Sequence, residues 1–428
     1  MYLFYNNYMK NKLILDPIHG YIQLPEICIQ IIDTIQFQQL KYKKQLGAAY
    51  YVFSGASHNR FEHSIGVAHL AKLLIMQLKI NQPELNISDK DIKLIMIAGL
   101  LHDIGHGPLS HLFDDFVINE NIPEREHEYR SGLILEQIVN DYKLNLNKEE
   151  IEQIKKYINP SKNCNGFMYD IISNNRNGLD VDKFDYLMRD TKNIGLEYSL
   201  DCSRLIMQAR VIDNEICYPE KLSFTIYKLF DMRYRLHKEI YSHPCVNQIE
   251  LMYAEILKSA DKYYNITDSI KDMKDFIKLN DTIFNQIEFS EAKELENSRN
   301  IIKNIRNRKL YKFIGDFQNV LNININEINI TCYCDNLEPD DIVILQLNRG
   351  YTNSDKNPVD FVSFYTLDNL NTKFKLPKDK VSALLPNIFQ EKIIRVFCKN
   401  LDKIDNAKKA FELFIERNKL LYNNKKII

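Results

Sequence analysis

Through the first three quarters of the chain, apolar residues recur every three to four positions, the spacing that gathers them on one face of a helix. Residues 26–46, EICIQIIDTIQFQQLKYKKQL, place Ile27, Ile31, Ile35 and Leu40 roughly so, and Gly47 ends the run. AYYVF then reads as a short extended piece and SGASHN as a turn. A second helix begins near Arg60 and runs through RFEHSIGVAHLAKLLIMQL. Ser88 and Asp91 form a capping-box pattern ahead of DIKLIMIAGLLHDIGH. Gly105, Gly107 and Pro108 break that helix, and LSHLFDDFV resumes as another. Residues 127–140 and 147–158 are helical, NNRNGLDVDKFDYLMRD is a loop entering a helix capped near Asp180, and 223–263 is a long helical stretch bent at Pro244. Near residue 315 the pattern changes to alternation. NITCYC, DIVILQLNRG, DFVSFYTL and IIRVFCK read as strands, and NAKKAFELFIERNKL closes the chain as a helix. The expectation is a mainly α protein: a leader over 1–11, a helical catalytic domain over 12–314 and a smaller α+β C-terminal lobe over 315–428.

The 428 residues are 45% hydrophobic and 26% charged, the balance of a globular protein. Lys and Arg number 56 against 57 Asp and Glu, a formal net charge of -1. No global field draws the chain to nucleic acid, so nucleic acid is not expected as its main partner, although a local basic groove is compatible with that sum. No apolar run is long enough for a membrane span, and the opening MYLFYNNYMKNKLILDP lacks a signal-peptide layout. The eight cysteines show no zinc-finger spacing; Cys332 and Cys334 alternate in NINEINITCYC as two core thiols on one face of a strand. Free thiols suit a reducing compartment, so an intracellular, soluble protein is expected, in cytoplasm or nucleus.

The densest chemistry lies in HDIGHGPLSH at 102–111. His102 and Asp103 are adjacent at the end of an apolar helix, and His106, four residues on, shares the face of His102 if the helix continues. Gly105 and Gly107 would let the backbone turn tightly towards a ligand. His111 and Asp114 are close enough in sequence to meet. Such polar groups are costly in apolar surroundings unless paired or bound to metal. His63 in NRFEHS and Asp182 in LDVDKFDY are distant candidates to complete a ligand set with His102 and Asp103. Two imidazoles and two carboxylates suit one divalent ion of iron, manganese, zinc or magnesium, with positions left for water or substrate. His69, six residues from His63, is read as structural. Cations near these positions point to an anionic substrate: Arg60, Lys183, and Arg233 with His237 as a cationic i,i+4 pair, Tyr241 following on the same face. P-loop, GxSxG and GxGxxG motifs are absent, which argues against P-loop ATPases, serine hydrolases and dinucleotide enzymes.

The ordered stretches DPIHGYIQLP, KQLGAAYYVFSGASHNRFEHSIGV, IAGLLHDIGHGPLSHLFD, NNRNGLDVDKFDYLMRD and NPVDFVSFYTL with IIRVFCK resemble the HD-domain deoxynucleoside triphosphate triphosphohydrolases. The resemblance runs from about residue 12 to about 420, without the sterile-alpha-motif domain that precedes the HD domain in the most similar members. It implies an HD-type helical core and hydrolysis of a dNTP to deoxynucleoside and inorganic triphosphate. Metal ligands would fall on His63, His102, Asp103 and Asp182, and acid–base groups on His106, His111, Asp114 and His127. His111, slightly ahead of His127, would give the leaving 5′-oxygen its proton. Phosphate contacts would fall on Arg60, Lys183, Tyr186 and Arg233, with Mg²⁺ accompanying the nucleotide. Sugar contacts would fall on Gln45, Leu46, Asp190 and Tyr241, with His237 beside them. Leu46 and Tyr241 would crowd a ribose 2′-hydroxyl, and Ser242 stands where the family has Gln. The resemblance also implies a homodimer or homotetramer with GTP or dNTP as activator, at Lys12, Asp33, Gln38, Lys41, Arg204, Lys221, His243, Arg308 and Lys312. Yet Lys41 replaces a stacking Arg, Leu15 an Asn, Pro219 and Glu239 replace Arg, and Pro244 a Lys. Weakened or altered activation is therefore expected. The alternatives are an HD phosphatase or phosphodiesterase acting on another nucleotide or a nucleic-acid end, and an inactive regulatory or nucleic-acid-binding HD protein.

Overall fold

The computed structural model describes residues 11–118, 122–198, 200–319, 325–352, 355–382 and 384–425, so the expected leader lies outside it but for Asn11. At its centre, helix Arg60–Asn81 packs against helices Asp89–Leu101 and Val181–Ile194. Each starts on a side-chain cap that satisfies amides the first turn leaves without partners. Asn59 accepts from Phe61 N, Ser88 and Asp91 close the predicted capping box, and Asp180 accepts from Lys183 N. From Leu94 to Leu101 every residue is buried, so this helix carries its C-terminal end, and with it His102 and Asp103, into the interior. Each large apolar side chain so buried contributes about 1.5–3 kcal/mol.

Several predicted elements take other forms. The helix expected over 26–46 is three pieces, Glu26–Ile32, Ile35–Gln38 and a 3₁₀ turn at Gln39–Tyr42. Thr34 causes the break: its hydroxyl donates back to Ile31 O and accepts from Phe37 N, ending one helix and capping the next. AYYVF is not extended but largely within a 3₁₀ turn, Gly47–Tyr51. The helix through DIKLIMIAGLLHDIGH stops at Leu101, and LSHLFDDFV resumes as a short helix over 111–117, widened to a π turn at Phe113–Val117. NITCYC is not a strand. Asn326 and Asn329 cap each other's backbone and start helix Glu327–Thr331, leaving Cys332 exposed and Cys334 half-buried rather than in a shared core. The break at Pro244 is as expected, with Pro244 in the first turn of helix Pro244–Tyr264.

The strands are β1 (Asn11–Asp16), β2 (Gly20–Pro25), β3 (Arg210–Ile212), β4 (Glu215–Pro219), β5 (Lys312–Gln318), β6 (Ile342–Gly350), β7 (Ser363–Thr366), β8 (Asn369–Phe374) and β9 (Gln390–Cys398). β1 and β2 form an antiparallel hairpin. β5, β9 and β6 make an antiparallel sheet under helix Ile404–Lys425, around a small core that includes Ile394, Val396, Ala407 and Ala410. β7 instead pairs in parallel with β4, giving a sheet ordered β3-β4-β7-β8. Tyr351, Val359, Phe364 and Phe389 join the main helical core. The α+β region is thus fastened to the helical body through a shared sheet and a shared core. Among the described residues no helix is long and apolar enough to cross a membrane.

Candidate active site

His63, on the first turn of its helix, and His102, just past the end of the next, face each other with ring centroids 5.1 Å apart. His63 Nε2 lies 3.0 Å from Asp182 Oδ1 and 3.4 Å from Asp103 Oδ2. His102 Nε2 lies 3.4 Å from Asp103 Oδ1 and 3.5 Å from Asp182 Oδ1. Both nitrogens are buried, yet neither makes a directed hydrogen bond. Two imidazole nitrogens converging on two carboxylates in this way is the donor set of a divalent cation, and the four predicted ligands therefore fit one. Electrostatics agree. Burial disfavours charge on His63, but Asp182 and Asp185 outweigh it and push the ring up to about 10. Asp103 is held well below the usual carboxylate range, against burial, by Arg60, His102 and His106.

The remaining nitrogens of both rings are tied back. His102 Nδ1 is 2.9 Å from Gly99 O, and His63 Nδ1 is 2.8 Å from Asp185 Oδ2. Asp185 in turn accepts two bonds from Arg189, at 2.8 and 2.9 Å, and meets His19 Nε2 at 2.6 Å, while Arg189 also binds Asp16 at 2.9 Å. A carboxylate behind a ligating histidine fixes its tautomer and raises its basicity. This row, with Gly66 opposite it, escaped the sequence reading. A Cβ at Gly66 would lie 1.9 Å from Asp185 Oδ1, so only glycine lets the two helices approach there.

A second cluster adjoins the first. Because the helix ends at Leu101, His106 does not share the face of His102; it joins His111, Asp114 and His127, whose facing atoms lie within 4.8 Å of one another. His106 and His127 stack at 3.7 Å, and His111 meets both edge-on. Asp114 faces His127 Nδ1 at 3.5 Å and pairs with Arg130. Gly105 serves this packing rather than a ligand: a Cβ there would lie 2.1 Å from His127 O. The left-handed turn falls instead on Leu109 and Ser110. The rings divide by charge. Burial, then Arg60 and His127, hold His106 well below its ordinary value. Desolvation by the surrounding side chains and then Arg60 bring His111 down to about 4. His127 is raised, Asp114 and Glu128 prevailing over burial.

Several of the expected substrate residues lie within electrostatic reach of the two clusters: Lys183 of Asp182, and His237 of His111, with Arg233 near both. Arg60 pairs with Asp103 and donates to Ser110 Oγ at 2.7 Å. Lys183 pairs with Asp180 at 2.9 Å, and burial raises the Tyr186 hydroxyl above its ordinary value with Arg233 and Lys183 opposing. Arg233 donates to Gly350 O at 2.8 Å. Tyr241 OH donates to Asp190 Oδ2 at 2.6 Å, and His58 Nε2 meets Asp190 Oδ1 at 2.7 Å. His58 is another residue the sequence did not single out. His237 lies edge-on to Tyr241 at 5.1 Å, but it is not the cation expected: burial and then Arg233 hold it well below its ordinary value. The backbone N–H of Gln45 donates to His58 O at 3.1 Å, beside Leu46.

The positions expected to bind an activator are spread over several elements. Lys41 donates to Gln38 at 2.7 Å, next to Asp33 at the end of helix Glu26–Ile32. Arg308 donates to Tyr51 O at 3.1 Å near His243, the cap of the Pro244 helix. Lys12 and Lys312 sit on β1 and β5, Arg204 on helix Ser203–Met207, and Lys221 on a 3₁₀ turn. Glu239 accepts from Tyr198 OH at 2.9 Å.

Helices that hold a His and an adjacent His-Asp pair around one cation site define an HD domain, and the HD-domain family model matches residues 60–189. The chain is 40% identical to the deoxynucleoside triphosphate triphosphohydrolase SAMHD1 homolog of Dictyostelium discoideum, over 98% of this chain and 83% of that protein. It is 38% identical to SAMHD1 of Homo sapiens, over 92% and 71% respectively. It is 36% identical to an HD domain-containing protein of Acanthamoeba polyphaga mimivirus, over 91% and 93%. This chain belongs to the SAMHD1 family of HD-domain proteins.

Proposed function

We propose that this protein hydrolyses deoxynucleoside triphosphates to deoxynucleoside and inorganic triphosphate, with one divalent metal held by His63, His102, Asp103 and Asp182. The observation that carries the reading is the convergence of the unbonded His63 and His102 nitrogens on Asp103 and Asp182, next to a separate acid–base cluster. When bound, such an ion polarises a phosphoryl oxygen and makes water nucleophilic at neutral pH. Lys183, Tyr186, Arg233 and Arg60 hold the triphosphate by charge and hydrogen bonding. Water adds at the α-phosphorus and the bond to the 5′-oxygen breaks. That oxygen takes a proton from His127, which we favour over His111 because Asp114 faces His127 and favours its charged form against burial, while burial and Arg60 disfavour charge on His111. His106 and His111 line the same face as neutral hydrogen-bonding rings. Asp190, fixed by His58 and Tyr241, keeps lone pairs for the sugar 3′-hydroxyl, and Leu46 and Tyr241 exclude a 2′-hydroxyl.

The test separates products by ion exchange for each dNTP and NTP, in Mg²⁺ and Mn²⁺, with and without GTP. Deoxynucleoside plus intact triphosphate is expected, and none from the His102→Ala/Asp103→Ala double variant. His127→Ala should lower kcat on the order of 100-fold or more while metal content holds. Release of pyrophosphate or single phosphates would refute the reaction. The GTP-free lanes test a finer proposal, that activation is weakened because Glu239 repels a polyphosphate. Strict GTP dependence would refute it.

A further inference from the structure

The turn joining His106 to His111 holds two consecutive non-glycine residues in the left-handed region, Leu109 (φ 55°) and Ser110 (φ 61°). Side chains there persist only where the surroundings fix them, and here the fixing groups come from far along the chain. Asp281 Oδ1 accepts from Leu109 N at 2.8 Å, and its Oδ2 accepts from Lys44 N at 2.8 Å. The backbone N–H of Asp281 donates to Tyr42 O at 3.2 Å. Around this carboxylate the two loops are laced directly: Ser110 Oγ donates to Lys44 O at 3.1 Å, and Lys43 Nζ donates to His106 O. One loop carries Gln45 and Leu46, the other His106 and His111. Asp281, partly buried behind both, stands 172 residues from Leu109 and 237 from Lys44 in sequence.

We propose that Asp281 is a positioning residue of the active site: its two carboxylate oxygens fix the His106–His111 turn against the Gln45–Leu46 loop. The inference rests on reading those loops as walls of the nucleotide cleft. A carboxylate is the side chain for this task, because both of its oxygens accept and both loops present an N–H. Asparagine has the same shape but offers one amide an N–H instead of an acceptor, so one loop must move.

The test is Asp281→Asn in the full chain, with Asp275→Asn as a neighbouring control whose partner is an exposed lysine, Lys278. The variant should keep its metal content and melting transition but lose kcat on the order of 10–100-fold, the scale of a misplaced catalytic group. Amide hydrogen exchange should accelerate in peptides spanning 44–47 and 107–112 and not in helix Asp89–Leu101. Unchanged kcat, or a lowered kcat with unaltered exchange in both loops, overturns the proposal. A uniform rise in exchange with loss of metal also overturns it, since Asp281 would then serve general stability. If the unaltered protein releases triphosphate from no dNTP, the functional reading fails by itself, and the exchange comparison still decides whether Asp281 holds the loops.

Discussion

Lys43 is fully buried, with its ammonium on His106 O and over the Phe276 ring at 5.3 Å. Burial pulls its pKa down to about 7, Asp281 opposing. An unfolded lysine holds its proton to near 10, so between about pH 7 and 10 the unfolded chain binds the extra proton and folding stability rises with pH. Measured against Lys43→Met, the unaltered chain should gain up to about 1.4 kcal/mol per pH unit between pH 7 and 9 in chemical denaturation. A pH-independent difference would contradict this. Nothing in YKKQL marks one lysine of the pair as buried; of the candidate metal residues, His102 and Asp103 were legible because HD is a contiguous signal, whereas His63 and Asp182 were distant candidates that the family resemblance completed. His19, Asp16, His58 and Asp281 were not, nor was what the local i,i+4 pair Asp185–Arg189 supports, because the contacts that matter reach far along the chain, 122 residues between His63 and Asp185 and 173 between Asp16 and Arg189. No spacing rule reaches that far.

Helices were easier to see than their ends. Ser88–Asp91 and Asp180 announced caps that form as read. Thr34 and the Asn326–Asn329 pair are equally local signals, but hydrophobic period masked them, and continuous helix and strand were expected instead. Gly66, inside helix Arg60–Asn81, is the position where an element's packing and the metal ligand's alignment depend on one missing methyl group. Gly66→Ala would improve intrinsic helix propensity by about 1 kcal/mol. The clash with Asp185 and Arg189 should dominate, costing about 3 kcal/mol or more by forcing apart a buried ion pair. Denaturant titration should show that loss, and metal analysis of the purified variant a reduced content. A stabilised variant with full metal would show that the two helices tolerate separation.

At the scale of the molecule, the mainly α body and the α+β region were both legible, but the way they join was not. Parallel pairing of β4 with β7 leaves no local mark, since β4 ends at Pro219 and β7 begins only at Ser363. A chain ending at residue 314 lacks β7 and the apolar residues 351–389 of the main core, so it should show no cooperative unfolding transition by calorimetry. A sharp transition like that of the full chain would show the helical body to be self-sufficient. The same seam governs the order of events during synthesis. The Asp16–Arg189–Asp185–His63 row can close once residue 189 has emerged, but Arg233 finds Gly350, and β4 its neighbour β7, only well over a hundred residues later. At ribosomal rates of about 5–20 residues per second, that interval is on the order of ten seconds. Through that interval β4 of the nascent chain lacks its β7 neighbour, and an unpaired strand edge is a template for pairing with another chain.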